Sequence, residues 1–151
     1  MERGTVYSIS ISKGKDKARQ EIQEAIITEY GIENDGHAGE WGRKWGRHIS
    51  CLSLSSVLNT INNFNARPGE FDENIIIAGL DLSKMNVGEQ LKLGVDVILE
   101  VTQIGKEGST DYYPFNDKPI NLGLTLLSYE GLFLKVVHGG TIKKGDPVEP
   151  I

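Results

Sequence analysis

The alternation of apolar and polar residues predicts several short β-strands along this chain. Residues 5–11 alternate in this way, residues 48–54 and 132–137 are also typical of strands, and residues 75–77 form a β-branched run. Residues 21–30 suit either a helix or a strand, and we interpret them as a short strand leading into a glycine-rich segment.

Two further patterns predict β-hairpins. Residues 90–93 and 95–104 are rich in β-forming side chains, and Gly94 separates them, which is typical of a hairpin. Residues 142–148 contain a Gly-Asp-Pro sequence, which predicts a tight turn into a short terminal strand.

One segment carries a helical pattern. Leu54, Val57, Leu58 and Ile61 recur at helical spacing, so we predict an amphipathic helix over residues 54–61. We expect this apolar stripe to face the core.

The elements together predict a mainly β fold, a closed β-barrel with one or two short helices. No stretch shows a regular βαβ alternation, which argues against a Rossmann-type sheet. The length of 151 residues fits one domain over residues 1–151 and allows a sizeable core.

Composition and charge narrow the function classes. Hydrophobic residues make up 38% of the chain and charged residues 25%, which is typical of a globular protein. The net charge of −5 argues against a general nucleic-acid binder. No apolar run approaches the ~20 residues that span a bilayer, and no signal-like segment opens the chain, so we expect a cytoplasmic protein without a membrane partner.

Cys51 is the single cysteine, which excludes an internal disulfide and a multi-cysteine zinc site. His48 lies three positions earlier, and two residues three apart on a strand point to opposite faces. We therefore expect Cys51 to be buried and unreactive rather than a nucleophile.

Residues 31–48 form a glycine-rich segment that also contains two tryptophans and several basic side chains. Glycines allow the backbone to approach a ligand closely, and Arg and Lys bind phosphate groups. The segment therefore predicts an anion site, whose candidate residues are Arg43, Lys44, Arg47, His48 and Lys106. The alternative is a structural turn with the tryptophans packed beneath it.

Other polar residues allow further interpretations. Residues 12–19 carry four basic side chains, and we favour a solvated hairpin tip over part of a ligand mouth. Glu73 and Asn74 precede a β-branched run, where we expect them to fasten a loop through hydrogen bonds to backbone N–H groups. A metal site has suitable ligand types but no compact spacing, so we expect none. Its candidate residues are Asp35, His37, His48 and Glu73.

Several motifs, taken in order, resemble the MOSC family, which is named for the C-terminal domain of molybdenum cofactor sulfurase. They lie at residues 31–39, 47–48, 69–75 with Gly79, 87–88, 91–94, 99–103, 139–140 and 145–146. The resemblance covers residues 5–149 and fits the small stand-alone members of bacteria and archaea.

The resemblance implies a β-barrel that binds the molybdenum cofactor, a pterin (molybdopterin) bearing a dithiolene and a phosphate. It also implies a role in cofactor sulfuration, delivery or maturation, with molybdoenzymes or cofactor-biosynthesis proteins as partners. By this resemblance Arg43, Lys44 and Arg47 hold the phosphate and His48 and Lys106 lie at the rim, while Asp35, His37, Glu73 and Asn74 shape the pocket.

One departure weakens the sulfur-transfer expectation. Family members proposed to carry sulfur have a cysteine just beyond the segment matching residues 99–103, and small relatives often have a second four residues later. Gly108 and Tyr112 occupy those positions here, and neither supplies a thiolate. Whether the chain is an enzyme therefore stays open. The alternatives are an enzyme acting on N-hydroxylated substrates and a non-catalytic adaptor binding through Tyr112, Tyr113 and Phe115.

Overall fold

The structure is a computed structural model. It describes residues 3–13, 19–36, 38–39, 46, 48–61, 68–69, 71, 73–105 and 130–151, with residues 59–61 described by their backbone alone. The strands are β1 (Gly4–Ile11), β2 (Gln20–Ile22), β3 (Glu24–Thr28), β4 (Gly31–Ile32), β5 (Ile49–Ser53), β6 (Ile75–Ala78), β7 (Gln90–Leu93), β8 (Val97–Ile104), β9 (Leu132–His138), β10 (Gly140–Lys143) and β11 (Pro147–Pro150). The helical elements are α1 (Leu54–Ile61) and a 3-10 helix (Leu82–Lys84).

The main sheet closes on itself. Its strand order is β11-β7-β8-β9-β5-β6-β1-β2, and β1 also pairs with β11, with Gly4 opposite Val148. Seven strands of the described chain therefore form the barrel, and β2 extends it along the edge of β1. The predicted closed β-barrel is confirmed.

Strands β5 and β6 are parallel, whereas the other neighbours in the barrel are antiparallel. Parallel neighbours need a crossover connection, because a tight hairpin reverses the chain direction. Helix α1 lies in this crossover, as its sequence position between the two strands requires.

A smaller sheet packs against the barrel. It has the order β10-β3-β4, and its apolar side chains join the core of the barrel. Ala25, Ile27 and Ile142 are the buried residues that β3 and β10 contribute. The second sheet therefore covers part of the same core.

The two faces of the barrel sheet are both buried around β5. Ile49 and Cys51 belong to the large core cluster, whereas Leu52 belongs to a smaller cluster with Val57 of α1. Successive side chains of a strand point to opposite faces of the sheet, so these residues belong to different clusters. The outer face of β5 and β6 is thus covered locally by α1.

None of the helices that the structure describes is long and apolar enough to span a membrane.

Most predicted elements are confirmed, with three differences. The predicted strand over residues 21–30 is two strands, because the chain leaves β1 after Ile22 and then pairs with β10 from Glu24 onwards. The second arm of the hairpin begins at Val97, and Val95 is 80% exposed in the turn. Leu58 is 47% exposed, so the expectation that the whole stripe of α1 faces the core was wrong. Its position on α1 is displaced by about 100° from that of the buried Val57.

Candidate functional site

The structure describes part of the predicted site. Asp35, His48, Glu73 and Asn74 are described, and all four are buried. The predicted residues His37, Arg43, Lys44, Arg47 and Lys106 lie outside the described residues, as do Gly108, Tyr112, Tyr113 and Phe115.

Asn74 is the centre of the described part of the site. Its side-chain Oδ1 accepts hydrogen bonds from Ser50 N at 3.1 Å and from Ser50 Oγ at 3.3 Å. Its Nδ2 donates to Ser10 O at 3.1 Å and to Asp35 Oδ2 at 3.3 Å. The amide therefore uses both of its polar atoms to join β1, β5 and the turn after β4.

Asp35 is held where the chain enters the glycine-rich segment. Its Oδ1 accepts a hydrogen bond from Ser12 N at 2.9 Å and lies 3.7 Å from Arg19 Nη1. Gly36 N in turn donates to Ser12 O. The Asp35 side chain is fully buried, so these contacts replace the water that a carboxylate otherwise requires.

Arg19 is a member of this cluster that sequence reasoning missed. Its side chain is only 8% exposed, so the interpretation of residues 12–19 as a solvated tip was wrong for Arg19. Gly69 packs against its stem, because a Cβ at Gly69 would lie 3.1 Å from Arg19 Cβ. The one available signal was the residue type, since arginine suits buried ion pairs better than lysine does.

Glu73 fastens the turn that precedes β6. Its Oε2 accepts from Gly69 N at 2.8 Å, and its Oε1 accepts from Gly69 N and Phe71 N, both at 3.2 Å. These are the loop-fastening hydrogen bonds expected from the sequence. Burial raises the pKa of Glu73 from 4.5 to about 7, against the opposing effects of these N–H donors and the charge of Arg19.

The first end of the glycine-rich segment packs directly on its last residue. Gly31 has φ +112°, and a Cβ there would lie 3.3 Å from His48 Cβ and 3.5 Å from His48 O. Glycine is therefore required both by the backbone conformation and by the close approach of His48.

The second end is fixed on β8. Gly46 has φ +67°, and a Cβ there would lie 2.8 Å from Thr102 Cγ2. Thr102 Oγ1 lies within hydrogen-bonding distance of Gly46 O and, at 3.0 Å, of Phe133 O. The two ends of the glycine-rich segment therefore lie close together, as in a compact surface loop, and the second end packs on β8.

Gly39 is a described position of this segment whose backbone conformation favours glycine. It has φ +141° and is half-buried, and its N–H donates to Tyr30 O at 2.9 Å. Among the residues that the structure describes, no atom lies within 4 Å of where a Cβ would be. A ligand can approach the backbone closely at such a glycine.

Cys51 is fully buried within the barrel core. Burial raises the pKa of its thiol, and the negative charge of Glu73 raises it further. A buried thiol held in its neutral form is a poor nucleophile. The predicted burial of Cys51 is confirmed, and its lack of reactivity stays a prediction.

The described residues contain no group of three or more His, Cys, Asp or Glu side chains that would hold a metal ion. Asp35 and Glu73 use their oxygens on protein donors, whereas a metal site needs several oxygens or nitrogens directed at one point. His37, the remaining candidate ligand, lies outside the described part of the chain.

Comparison with known proteins supports the fold. No protein-family model matches the chain, and no curated protein sequence matches it. The crystal structure of the YUAD protein from Bacillus subtilis is similar, with a TM-score of 0.74 and 18% identity over 99% of this chain and 98% of that one.

Two YiiM structures are also similar. The protein from Geobacillus stearothermophilus has a TM-score of 0.67 and 16% identity, covering 98% of this chain and 75% of that one. The protein from Escherichia coli has a TM-score of 0.61 and 19% identity, covering 100% and 70%. YiiM is a MOSC-domain protein, so these likenesses support a MOSC-like fold.

Proposed function

We propose that this chain is a MOSC-type protein whose glycine-rich segment (residues 31–48) binds a pterin cofactor of the molybdenum cofactor class non-covalently. One observation carries the proposal. Asn74 joins Asp35, near the start of the segment, to Ser50, just beyond its end. The segment is therefore a loop with a fixed base, which is how proteins commonly present ligand-binding residues on a rigid scaffold.

In the proposal, Asp35, Glu73 and Asn74 support the loop rather than contact the ligand. Asp35 and Glu73 accept hydrogen bonds from the protein's own N–H groups, and Asn74 uses its amide on β1 and β5. Preorganisation of this kind strengthens binding because less conformational freedom is lost when the ligand arrives.

The ligand contacts are assigned to the loop. Gly39 is a described glycine of the segment, and no described atom lies within 4 Å of where its Cβ would be. In the proposal, Arg43, Lys44 and Arg47 bind the phosphate, while His37, His48 and Lys106 lie around the pterin. When bound, the cofactor supplies a dithiolene that holds molybdenum. The protein residues bind and orient it.

Delivery or maturation of the cofactor follows more directly from this arrangement than sulfur transfer. A sulfur carrier needs an accessible thiolate, and the single cysteine of the chain is buried in the core. The proposed role is therefore to bind the cofactor for transfer to a molybdoenzyme or a cofactor-biosynthesis protein.

The test is to produce the protein in a host that makes the molybdenum cofactor. The purified protein is then assayed for the fluorescence of oxidised pterin and for metal content. We expect pterin to co-purify with the wild type and to be lost from the R43Q/K44Q/R47Q variant.

The matched control is K84Q/K92Q/K143Q, which removes the same charge at residues outside the segment. This variant should keep the pterin. Well-folded wild-type protein without pterin, or equal losses from the two triple variants, would contradict specific binding by the segment.

A further inference from the structure

Asp35 is the shared anchor of two basic segments of the chain. Ser12 N donates to its Oδ1 and Gly36 N donates to Ser12 O, while Arg19 Nη1 lies 3.7 Å from the same Oδ1. Ser12 and Arg19 are the two ends of the basic segment 12–19. Asp35 therefore fixes both ends of that segment at the start of the glycine-rich one.

Arg19 supplies positive charge to the buried carboxyl groups at this anchor. Asp35 and Glu73 are buried carboxyls, and Arg19 is the buried cation whose charge acts on both. A buried carboxylate that loses its cation keeps the full penalty of its desolvation. Neutralising Arg19 should therefore weaken the contacts of Asp35 with Ser12 and Asn74.

We propose that Arg19 is a positioning residue, whose buried guanidinium couples the basic segment 12–19 to the glycine-rich segment through Asp35. It acts through Asp35 rather than by contact with a ligand. A change at Arg19 should therefore affect both segments together, although they are separated in sequence by β2 and β3.

Trypsin provides a direct probe because both segments contain its cleavage residues. The first contains Lys13, Lys15 and Lys17, and the second contains Arg43, Lys44 and Arg47. Native-state cleavage reports how often a segment separates from the rest of the structure. Mass spectrometry assigns each cut, so the two segments are followed separately in one digestion.

For R19Q we expect cleavage in both segments to accelerate by about tenfold or more, with unchanged cleavage after Lys84 and Lys143. R19K keeps the charge but not the planar fork, so both segments should accelerate by a smaller, matching factor. The matched control is R3Q, which removes a surface arginine paired with Glu149 at 3.2 Å. Its cleavage rates in the two segments should equal those of the wild type.

The outcomes decide the proposal. Acceleration in only one segment, or wild-type rates in both R19Q and R19K, would overturn the coupling. If R19Q does not fold, R19K provides the test. Its cleavage rates in the two segments are then compared with those after Lys84 and Lys143.

The consequence for ligand binding rests on the proposed function, whereas the cleavage result does not. Pterin content should fall in R19Q and be partly restored in R19K. Coupled cleavage in a protein that never carries pterin would support the role of Arg19 and contradict the proposed function. Full pterin content in R19Q despite faster cleavage would contradict the positioning of the ligand site by Arg19.

Discussion

Asn74 Nδ2 lies 3.3 Å from Asp35 Oδ2, although the two residues are 39 positions apart in the chain. This hydrogen bond links the end of the turn before β6 to the start of the glycine-rich segment. Ser50, 24 positions from Asn74, completes the link on the other side of that segment. One amide side chain thus connects residues near both ends of the loop.

Replacing Asn74 by alanine should destabilise the protein strongly. The change leaves the buried Ser50 N–H, the Ser10 carbonyl and Asp35 without the bonds that the amide provides. We expect a loss of about 2–4 kcal/mol in the free energy of unfolding, measured by urea denaturation.

The matched control is Asn86→Ala. Asn86 donates to Glu89 Oε1 at 2.7 Å, but this hydrogen bond is exposed to water. The control should cost less than about 1 kcal/mol. Equal losses for the two alanine variants would show that Asn74 does not have the central position assigned to it.

The raised pKa of Glu73 predicts the direction in which stability changes with pH. The folded state holds the proton up to about pH 7, whereas the unfolded chain releases it near 4.5. Stability contributed by the neutral carboxyl is therefore present at pH 4.5 and is lost as the pH rises through 7. From the difference between the folded and unfolded pKa values of Glu73, we expect the free energy of unfolding to fall by at most about 3 kcal/mol. Denaturant titrations between pH 5 and 8.5 measure this fall.

Two substitutions isolate this effect. Glu73→Gln should flatten the fall in stability, because the amide does not titrate. Glu100→Gln should leave it intact, since hydrogen bonds from Gln90 and Lys135 lower the pKa of Glu100, away from this window. A slope unchanged by Glu73→Gln would assign the pH dependence to another group.

Cys51 should resist thiol reagents as long as the barrel is folded. It is fully buried, and its pKa is raised by burial and by Glu73. We expect labelling by a chromogenic disulfide to be slow in buffer and to become fast only at urea concentrations that unfold the protein. Cys51→Ala should not change the pterin content, and rapid labelling of the native protein would instead favour a sulfur-carrier role.

The sequence predictions were correct where the interactions are local and wrong where they join residues distant in the chain. The strands and α1 were predictable because their signal is local periodicity, and Glu73 was predictable because its partners lie two and four residues away. The break between β2 and β3 was not predictable from local sequence. It arises because β2 pairs with β1, whereas β3 pairs with the distant β10. The burial of Arg19 was missed for the same reason, because Asp35 and Gly69 reach it only through the fold.

The packing of Gly46 against Thr102 allows a direct test of how the glycine-rich segment is attached. Gly46→Ala places a Cβ 2.8 Å from Thr102 Cγ2 and at φ +67°, so we expect a loss of about 2–4 kcal/mol by urea denaturation. Thr102→Ser removes that methyl and keeps the hydroxyl, so Gly46→Ala should cost at least about 1 kcal/mol less in this background. Gly145→Ala, at φ +94° with no described atom within 4 Å, should cost the same in both backgrounds. If Gly46→Ala also cost the same in both backgrounds, its loss would come from backbone strain alone, and the contact with the Thr102 methyl would not hold the segment.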